Sequence, residues 1–65
     1  MPKKIRELIK ALEAAGFRNN GGKGSHRKFK HAKTGSKVIV SGQPGADAKP
    51  YQEREVEDAL RRAGK

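Results

Sequence analysis

The sequence predicts a small α+β fold in which two helices pack on one face of an antiparallel sheet of two or three strands. Apolar residues recur at helical spacing near both ends of the chain. Between them, short runs with β-branched and aromatic residues are separated by turns that contain Gly and Asn, a pattern typical of antiparallel strands. Because such a sheet can leave one face in solvent, we expect an apolar face under the helices and an open polar face.

The first helix is predicted over about residues 3–15. Its apolar residues lie at positions i, i+3, i+4 and i+7 and form one stripe: Ile5, Leu8, Ile9 and Leu12. Gly16 is a typical C-terminal stop, and Phe17 follows it, where the ring can fold back onto the stripe.

Strands are predicted in the middle of the chain, weakly over residues 17–19 and more strongly over residues 25–31 and 36–40. Turns separate them at residues 19–22 and 32–35, because Asn and Gly tolerate positive φ.

A loop and a second helix complete the predicted order. Residues 41–50 contain two glycines and two prolines, which indicates a loop. The apolar residues of the helix repeat the spacing of the first stripe: Val56, Ala59, Leu60 and Ala63. Gly64 is predicted to end this helix.

Length and composition limit what the chain can be. Its 65 residues, of which 32% are hydrophobic, predict a single domain over residues 1–65 with a thin core. The absence of Cys excludes disulfides and thiolate metal sites. The longest apolar run, Val38–Val40, is far too short to span a membrane, and the N-terminus lacks the apolar block of a signal peptide. A cytoplasmic location is therefore expected.

The net charge of +9 is concentrated in the middle of the chain. Residues 18–49 hold eight Lys or Arg against one Asp, whereas residues 50–65 hold four bases and four acids. A basic region of this kind favours a polyanionic partner, and nucleic acid is the favoured class. The alternative is a basic surface without a dedicated ligand.

Side-chain alternation predicts where His26 lies. In a regular strand over residues 25–31, Phe29 is the only large apolar residue and should face the core. His26, Lys28 and Lys30 then share the open face, with about 6–7 Å between successive side chains. The result is a histidine at the head of a row of ammonium groups.

The second histidine, His31, is predicted on the opposite side, as a rim residue near the turn. It lies about 16 Å from His26 along a strand, so the two are not expected to form an acid–base pair or a metal site. Arg27 falls on the same side as His31 and is expected at the rim of the sheet.

The glycine-rich run before His26 allows two interpretations. Residues 21–24 could offer backbone N–H groups to a phosphate, and Gly24 would allow a ligand to approach closely. The spacing of a P-loop is not met. The alternative is a flexible hairpin turn.

Several segments together resemble the HicA family of toxins from toxin–antitoxin modules. They are "LEAAGF" at the end of the first helix, "KGSHRKF", the strand "KVIV" and "LRRAGK" at the end of the second helix. The resemblance covers nearly the whole chain. Its most specific element is the Gly-Ser-His run at residues 24–26.

The resemblance implies a fold like the double-stranded-RNA-binding domain, with the order α-β-β-β-α. It also implies a messenger-RNA endoribonuclease that halts growth, whose catalytic histidine here is His26, and a HicB antitoxin that covers the histidine-bearing surface. The chain departs from the commoner family pattern over residues 42–52, and this departure is expected to affect loop contacts and antitoxin specificity more than the chemistry.

A single histidine can cleave RNA because the substrate carries its own nucleophile, the 2′-hydroxyl. Neutral His26 can accept that proton, while Lys23 and Lys28 can stabilise the charge on the phosphorane. No second acid–base group is evident, and neither metal nor cofactor is required. The predicted RNA-binding residues are the cations and loop residues near His26: Lys23, Gly24, Ser25, Lys28 and Lys30.

Two alternatives belong to other functional classes. The first is a non-catalytic RNA-binding module, but residues 49–55 are close to neutral where a true double-stranded-RNA-binding domain would place a lysine cluster. The second is a protein whose basic face only docks an acidic antitoxin. The chain alone is expected to be monomeric or, with its antitoxin, part of a heteromer.

Overall fold

Five elements follow one another in the order helix, three strands, helix in the computed structural model, which describes residues 3–24 and 26–64. They are α1 (Ile5–Ala14), β1 (Phe17–Asn19), β2 (Arg27–His31), β3 (Lys37–Val40) and α2 (Pro50–Ala63). The predicted α-β-β-β-α order is confirmed, including the weakly predicted first strand. The predicted start of the second strand, Ser25, lies outside the described residues.

The three strands form one antiparallel sheet in the order β1-β2-β3, so β2 is central. Phe17 pairs with His31 across β1 and β2, and Phe29 pairs with Val38 across β2 and β3. Since directly paired residues point to the same side, all four lie on the face that the helices cover.

The core lies between this face and the two helices, as predicted. Its buried hydrophobic residues come from every element and from the loop before α2: Ile5, Leu8, Leu12, Phe17, Phe29, Val38, Val40, Ala48, Val56 and Ala59. Ile9, Leu60 and Ala63 belong to the predicted stripes but pack at the edge of the core and are only partly buried.

Both helices begin with the same backbone arrangement. The Glu7 carboxylate accepts a hydrogen bond from the Lys4 N–H at 3.1 Å, and the Gln52 side-chain oxygen accepts one from the Lys49 N–H at 2.9 Å. In return, the backbone N–H of Glu7 and that of Gln52 donate to the carbonyls of Lys4 and Lys49. Within the described ranges, neither helix has the length and apolar character needed to cross a bilayer.

The predicted rim position of His31 is wrong, because the side chain is buried with only 7% of its surface exposed. Its Nε2 lies 2.9 Å from the Ala15 carbonyl oxygen, and its Nδ1 accepts hydrogen bonds from the N–H groups of Lys33 and Thr34. The ring also packs edge-on against Phe17, with 5.1 Å between centroids. The end of α1 and the turn after β2 thus provide partners for both ring nitrogens, which makes burial possible.

Candidate nucleic-acid interface

The sheet surface opposite the helices carries a set of exposed side chains, here termed the open face: Arg18, Lys28, Lys30, Lys37 and Ile39. Burial alternates along β2 and β3 as the strand parity predicts, with every second residue in the core. The register pairs Lys30 with Arg18 on one side and with Lys37 on the other. Three cations therefore form one row across the sheet, with about 4.8 Å between neighbouring strands.

Among the described residues, no acidic side chain forms an ion pair with this row, although Glu55 and Asp58 line a cavity beside Lys37. Like charges directly opposite each other destabilise a sheet. In the part of the chain that the structure describes, the ion pairs are Lys4–Asp47 and Asp58–Arg61, and neither includes a residue of the open face. The open face therefore combines a cost in stability with cations that have no ion-pair partner in this part of the chain, as expected of a surface that meets a polyanion.

His26 lies immediately before β2 and is exposed. Its backbone N–H donates to the Lys23 carbonyl at 2.9 Å, which closes a tight turn. The turn brings the backbone of the glycine-rich run against the histidine. Arg27 follows; it is half-buried, and its guanidinium donates to the Gly42 carbonyl at 3.0 Å, in agreement with the predicted rim position.

Gly22 is the residue whose role the sequence did not reveal. A Cβ at this position would lie 2.0 Å from the His26 carbonyl oxygen, and its φ of +134° is one that other residues rarely adopt. Only glycine allows the two backbone segments to approach this closely. The Gly-Gly pair in the sequence signals a turn, but it does not show which glycine contacts the histidine.

A bulge at the end of β1 positions the same run. The Asn20 N–H donates to the Lys28 carbonyl at 2.6 Å, while the Lys28 N–H donates to the Gly21 carbonyl at 2.8 Å. Asn20 and Gly21 thus lie opposite the single residue Lys28 of β2, which is the pattern of a β-bulge. The Asn19 side-chain oxygen also accepts the Gly21 N–H at 2.9 Å. The run therefore leaves the sheet by a defined path rather than as a free hairpin loop.

A family model for the HicA toxin of bacterial toxin–antitoxin modules matches residues 5–65. The chain belongs to the HicA toxin family. The match includes both helices, all three strands and the run that contains His26. None of the curated proteins compared with the chain matched it. The family identifies this HicA protein as the toxin component of a toxin–antitoxin module, and it implies an antitoxin partner.

The predicted site residues of this HicA toxin are only partly brought together. Lys28 and Lys30 lie on the open face, and Lys23 contacts His26 through its backbone. Gly24 is exposed with a φ of +58°, and there is open space around the position of a Cβ. The predicted contact Ser25 lies outside the described residues.

The two histidines of the HicA toxin have different surroundings. His31 is buried in the covered face and has both nitrogens bonded, whereas His26 is exposed. Across residues 3–24 and 26–64, no group of three or more His, Cys, Asp or Glu side chains is arranged to hold a metal ion.

Proposed function

We propose that this HicA toxin is an endoribonuclease that cleaves messenger RNA with His26 as the general base. The observation that carries the proposal is an exposed histidine in the residue before β2, the central strand of a sheet whose open face has four cations and no acidic residue. The cations attract and hold the phosphate backbone, and the imidazole is the side chain best suited to exchange protons near neutral pH.

The reaction uses the substrate's own nucleophile. His26 removes the proton of a 2′-hydroxyl, the 2′-oxygen bonds to the adjacent phosphorus, and the bond from phosphorus to the 5′-oxygen breaks. The products are a 2′,3′-cyclic phosphate and a 5′-hydroxyl, whose proton comes from a lysine or from water. Because the nucleophile is supplied by RNA and its deprotonation by His26, this route needs no metal ion.

Two lysines support the proposed stabilisation of charge on the non-bridging oxygens. Lys28 follows His26 by two residues in the chain, and its side chain is on the open face. Lys23 is joined to His26 by the backbone hydrogen bond that closes the turn. Cations placed before the reaction begins stabilise the developing negative charge without rearrangement.

The antitoxin partner is proposed to be of the HicB type and to cover the open face. An antitoxin bound there would prevent RNA from binding and would also cover His26. An acidic surface on the partner would complement the row of Arg18, Lys30 and Lys37 and would speed association through electrostatic attraction.

The test compares the wild type with His26→Ala, both in growing cells and as purified protein on single-stranded RNA in EDTA. We expect the wild type to arrest growth and to release RNA fragments with cyclic phosphate ends. We expect His26→Ala to fold and to bind RNA, but neither to arrest growth nor to cleave RNA. Lys33→Ala, which changes an exposed lysine in the turn after β2, is the control and should cleave like wild type.

Equal cleavage by wild type and His26→Ala would place the base elsewhere. If neither protein cleaves but both bind RNA with a steep salt dependence, the chain is a non-catalytic RNA-binding module.

A further inference from the structure

The open face contains a shallow depression of about 360 Å³ between β2 and β3. Its lining side chains are exposed and come from the open face and the bulge: Asn20, Lys28, Lys30, Lys37 and Ile39. Phe29 and Val38 also line it, and since their side chains are buried on the covered face, they contribute backbone to its floor. The side chains that line the depression are therefore three cations, one amide and one apolar group.

Ile39 is the unusual member of this group. It is 54% exposed, and among the described residues only it and Tyr51, at 43%, are large hydrophobic side chains left in solvent. It lies directly opposite Lys28 in the β2–β3 register. An apolar surface surrounded by ammonium groups suits a ligand that is apolar on one face and anionic at its edge.

We propose that this depression is a subsite for one nucleotide of single-stranded RNA, with the base on Ile39 and its flanking phosphates on Lys30 and Lys37. The subsite rests on the proposed function. His26 is not among the residues that line the depression, whereas Lys28, which we propose to contact the scissile phosphate, is. The subsite therefore holds a nucleotide next to the scissile phosphate rather than the reacting one. Single-stranded RNA fits because its bases are free to leave the stack, whereas those of a duplex are not.

Asn20 supplies the group that can distinguish bases. Its backbone N–H is used by the bulge, but its side-chain amide is exposed at the depression with one donor and one acceptor group. An amide can read the donor and acceptor pattern of a base edge, which a lysine cannot do. The subsite thereby gives the toxin a preference for a particular base in the nucleotide next to the cleaved bond.

The experiment measures binding in a His26→Ala background, so that turnover does not interfere. The probe is a fluorescein-labelled single-stranded hexaribonucleotide, followed by anisotropy. Ile39→Ser should raise Kd about fivefold, because it removes the surface on which the base packs. Ile39→Val keeps an apolar side chain and should stay within about twofold.

Two controls make the result specific. Tyr51→Ser removes the other exposed hydrophobic side chain, which lies on α2, and should leave Kd unchanged. Lys37→Gln should weaken binding and reduce the salt slope by about 0.7, whereas Ile39→Ser should leave the slope unchanged. Circular dichroism and a thermal melt establish that each variant is folded.

The base preference is tested separately with hexaribonucleotides that differ in one base. Asn20→Ala should reduce the difference in Kd between the best and the worst base while keeping the mean affinity within about threefold. Unequal binding that persists in Asn20→Ala would remove this residue from base recognition.

The outcomes distinguish the subsite from the proposed function. A folded Ile39→Ser that binds RNA like its parent overturns the subsite, whether or not the wild type cleaves RNA. If the wild type does not cleave but Ile39→Ser loses affinity and Tyr51→Ser does not, the subsite stands and the nuclease proposal falls. If Ile39→Ser impairs only the binding of antitoxin, the depression is a protein-docking surface and the subsite is overturned.

Discussion

At the residue scale, two histidines five positions apart have opposite environments. His31 has backbone donors at Nδ1, so this nitrogen must be the acceptor, and Nε2 carries the proton that is donated to the Ala15 carbonyl. The ring therefore joins the end of α1 to the turn after β2. His26, by contrast, is exposed to solvent.

Replacing His31 by Ala should lower the free energy of unfolding by about 2–4 kcal/mol. The change removes a buried ring that packs on Phe17 and leaves a carbonyl and two N–H groups without partners. Urea denaturation followed by circular dichroism measures the loss. His26→Ala is the matched control and should leave the unfolding midpoint unchanged, so equal losses in the two variants would contradict the structural role of His31.

Gly22→Ala should impair both stability and RNA cleavage. The new methyl group would overlap the His26 carbonyl, and the φ of +134° is unfavourable for Ala. Since the run must move away from the histidine, we expect cleavage to fall at least about tenfold. Gly35→Ala is the control: its φ of +76° is also positive, but a Cβ there meets nothing within 4 Å. Gly35→Ala should lose stability but keep its rate of cleavage. A similar loss of cleavage in both variants would show that backbone strain at a positive φ is responsible, and not the contact with His26.

Sequence reasoning was strongest for features that depend on neighbours in the chain. Strand parity correctly placed Lys28 and Lys30 in solvent and Phe29 in the core. It could not reveal the contact of Gly22 with His26 or the partners of His31, because these depend on how turns and helix ends meet in three dimensions.

At the element scale, the Gly- and Pro-containing loop over residues 41–49 caps the N-terminus of α1. The N–H groups of Ile5 and Arg6 donate to the carbonyls of Ala46 and Pro44 at 2.9 and 3.0 Å. The N-cap residue Lys4 has no side-chain acceptor, so the loop carbonyls satisfy N–H groups that a cap residue would usually serve. The sequence indicated only a loop, because these partners lie about forty residues apart in the chain.

Gln52 connects this loop to α2. The side chain is 6% exposed; its oxygen accepts the Lys49 N–H and its nitrogen donates to the Ser41 carbonyl, both at 2.9 Å. Gln52→Ala should lower the free energy of unfolding by about 1–3 kcal/mol, since it leaves both backbone groups without these partners. Glu55→Ala, on an exposed position of the same helix, is the control for helix propensity.

Gln52→Glu distinguishes the contributions of these two hydrogen bonds to the free energy of unfolding. The carboxylate still accepts from the Lys49 N–H, but it places negative charge against the Ser41 carbonyl. We expect this variant to be at least as destabilised as Gln52→Ala in the same urea measurement. Wild-type stability in Gln52→Glu would show that the bond to Ser41 contributes little.

At the scale of the whole molecule, the covered and open faces of one small sheet have separate tasks. The covered face holds the apolar side chains of all three strands against both helices, while the open face concentrates positive charge. α2 holds four acidic against three basic residues, so it contributes nothing to the net charge of +9, and among the helices and strands the largest positive contribution comes from the strands of the sheet. A core this small gives limited stability, and binding of the antitoxin adds to it by mass action.

Salt should therefore act in opposite directions on folding and on RNA binding. Raising NaCl from 50 to 500 mM screens repulsion within the row of Arg18, Lys30 and Lys37, so Tm of the free protein should rise. The same increase should weaken RNA binding steeply, because releasing counterions into a more concentrated salt solution gains less free energy. Differential scanning fluorimetry and anisotropy measure the two effects on the same samples.

The triple variant Arg18→Gln, Lys30→Gln, Lys37→Gln assigns both effects to the row. It should be more stable than wild type at 50 mM NaCl, show a smaller rise of Tm with salt, and have an RNA-binding salt slope reduced by about two, since each contact to a single strand contributes about 0.7. The matched control changes three exposed cations outside the open face: Lys10→Gln, Arg54→Gln and Lys33→Gln. Both triple variants have the same net charge, so an equal reduction in slope would mean that RNA responds to the total charge of the molecule. If the salt slope falls only in the variant that changes the row, RNA lies along the open face. The like charges that destabilise the free sheet would then stabilise its complex with RNA.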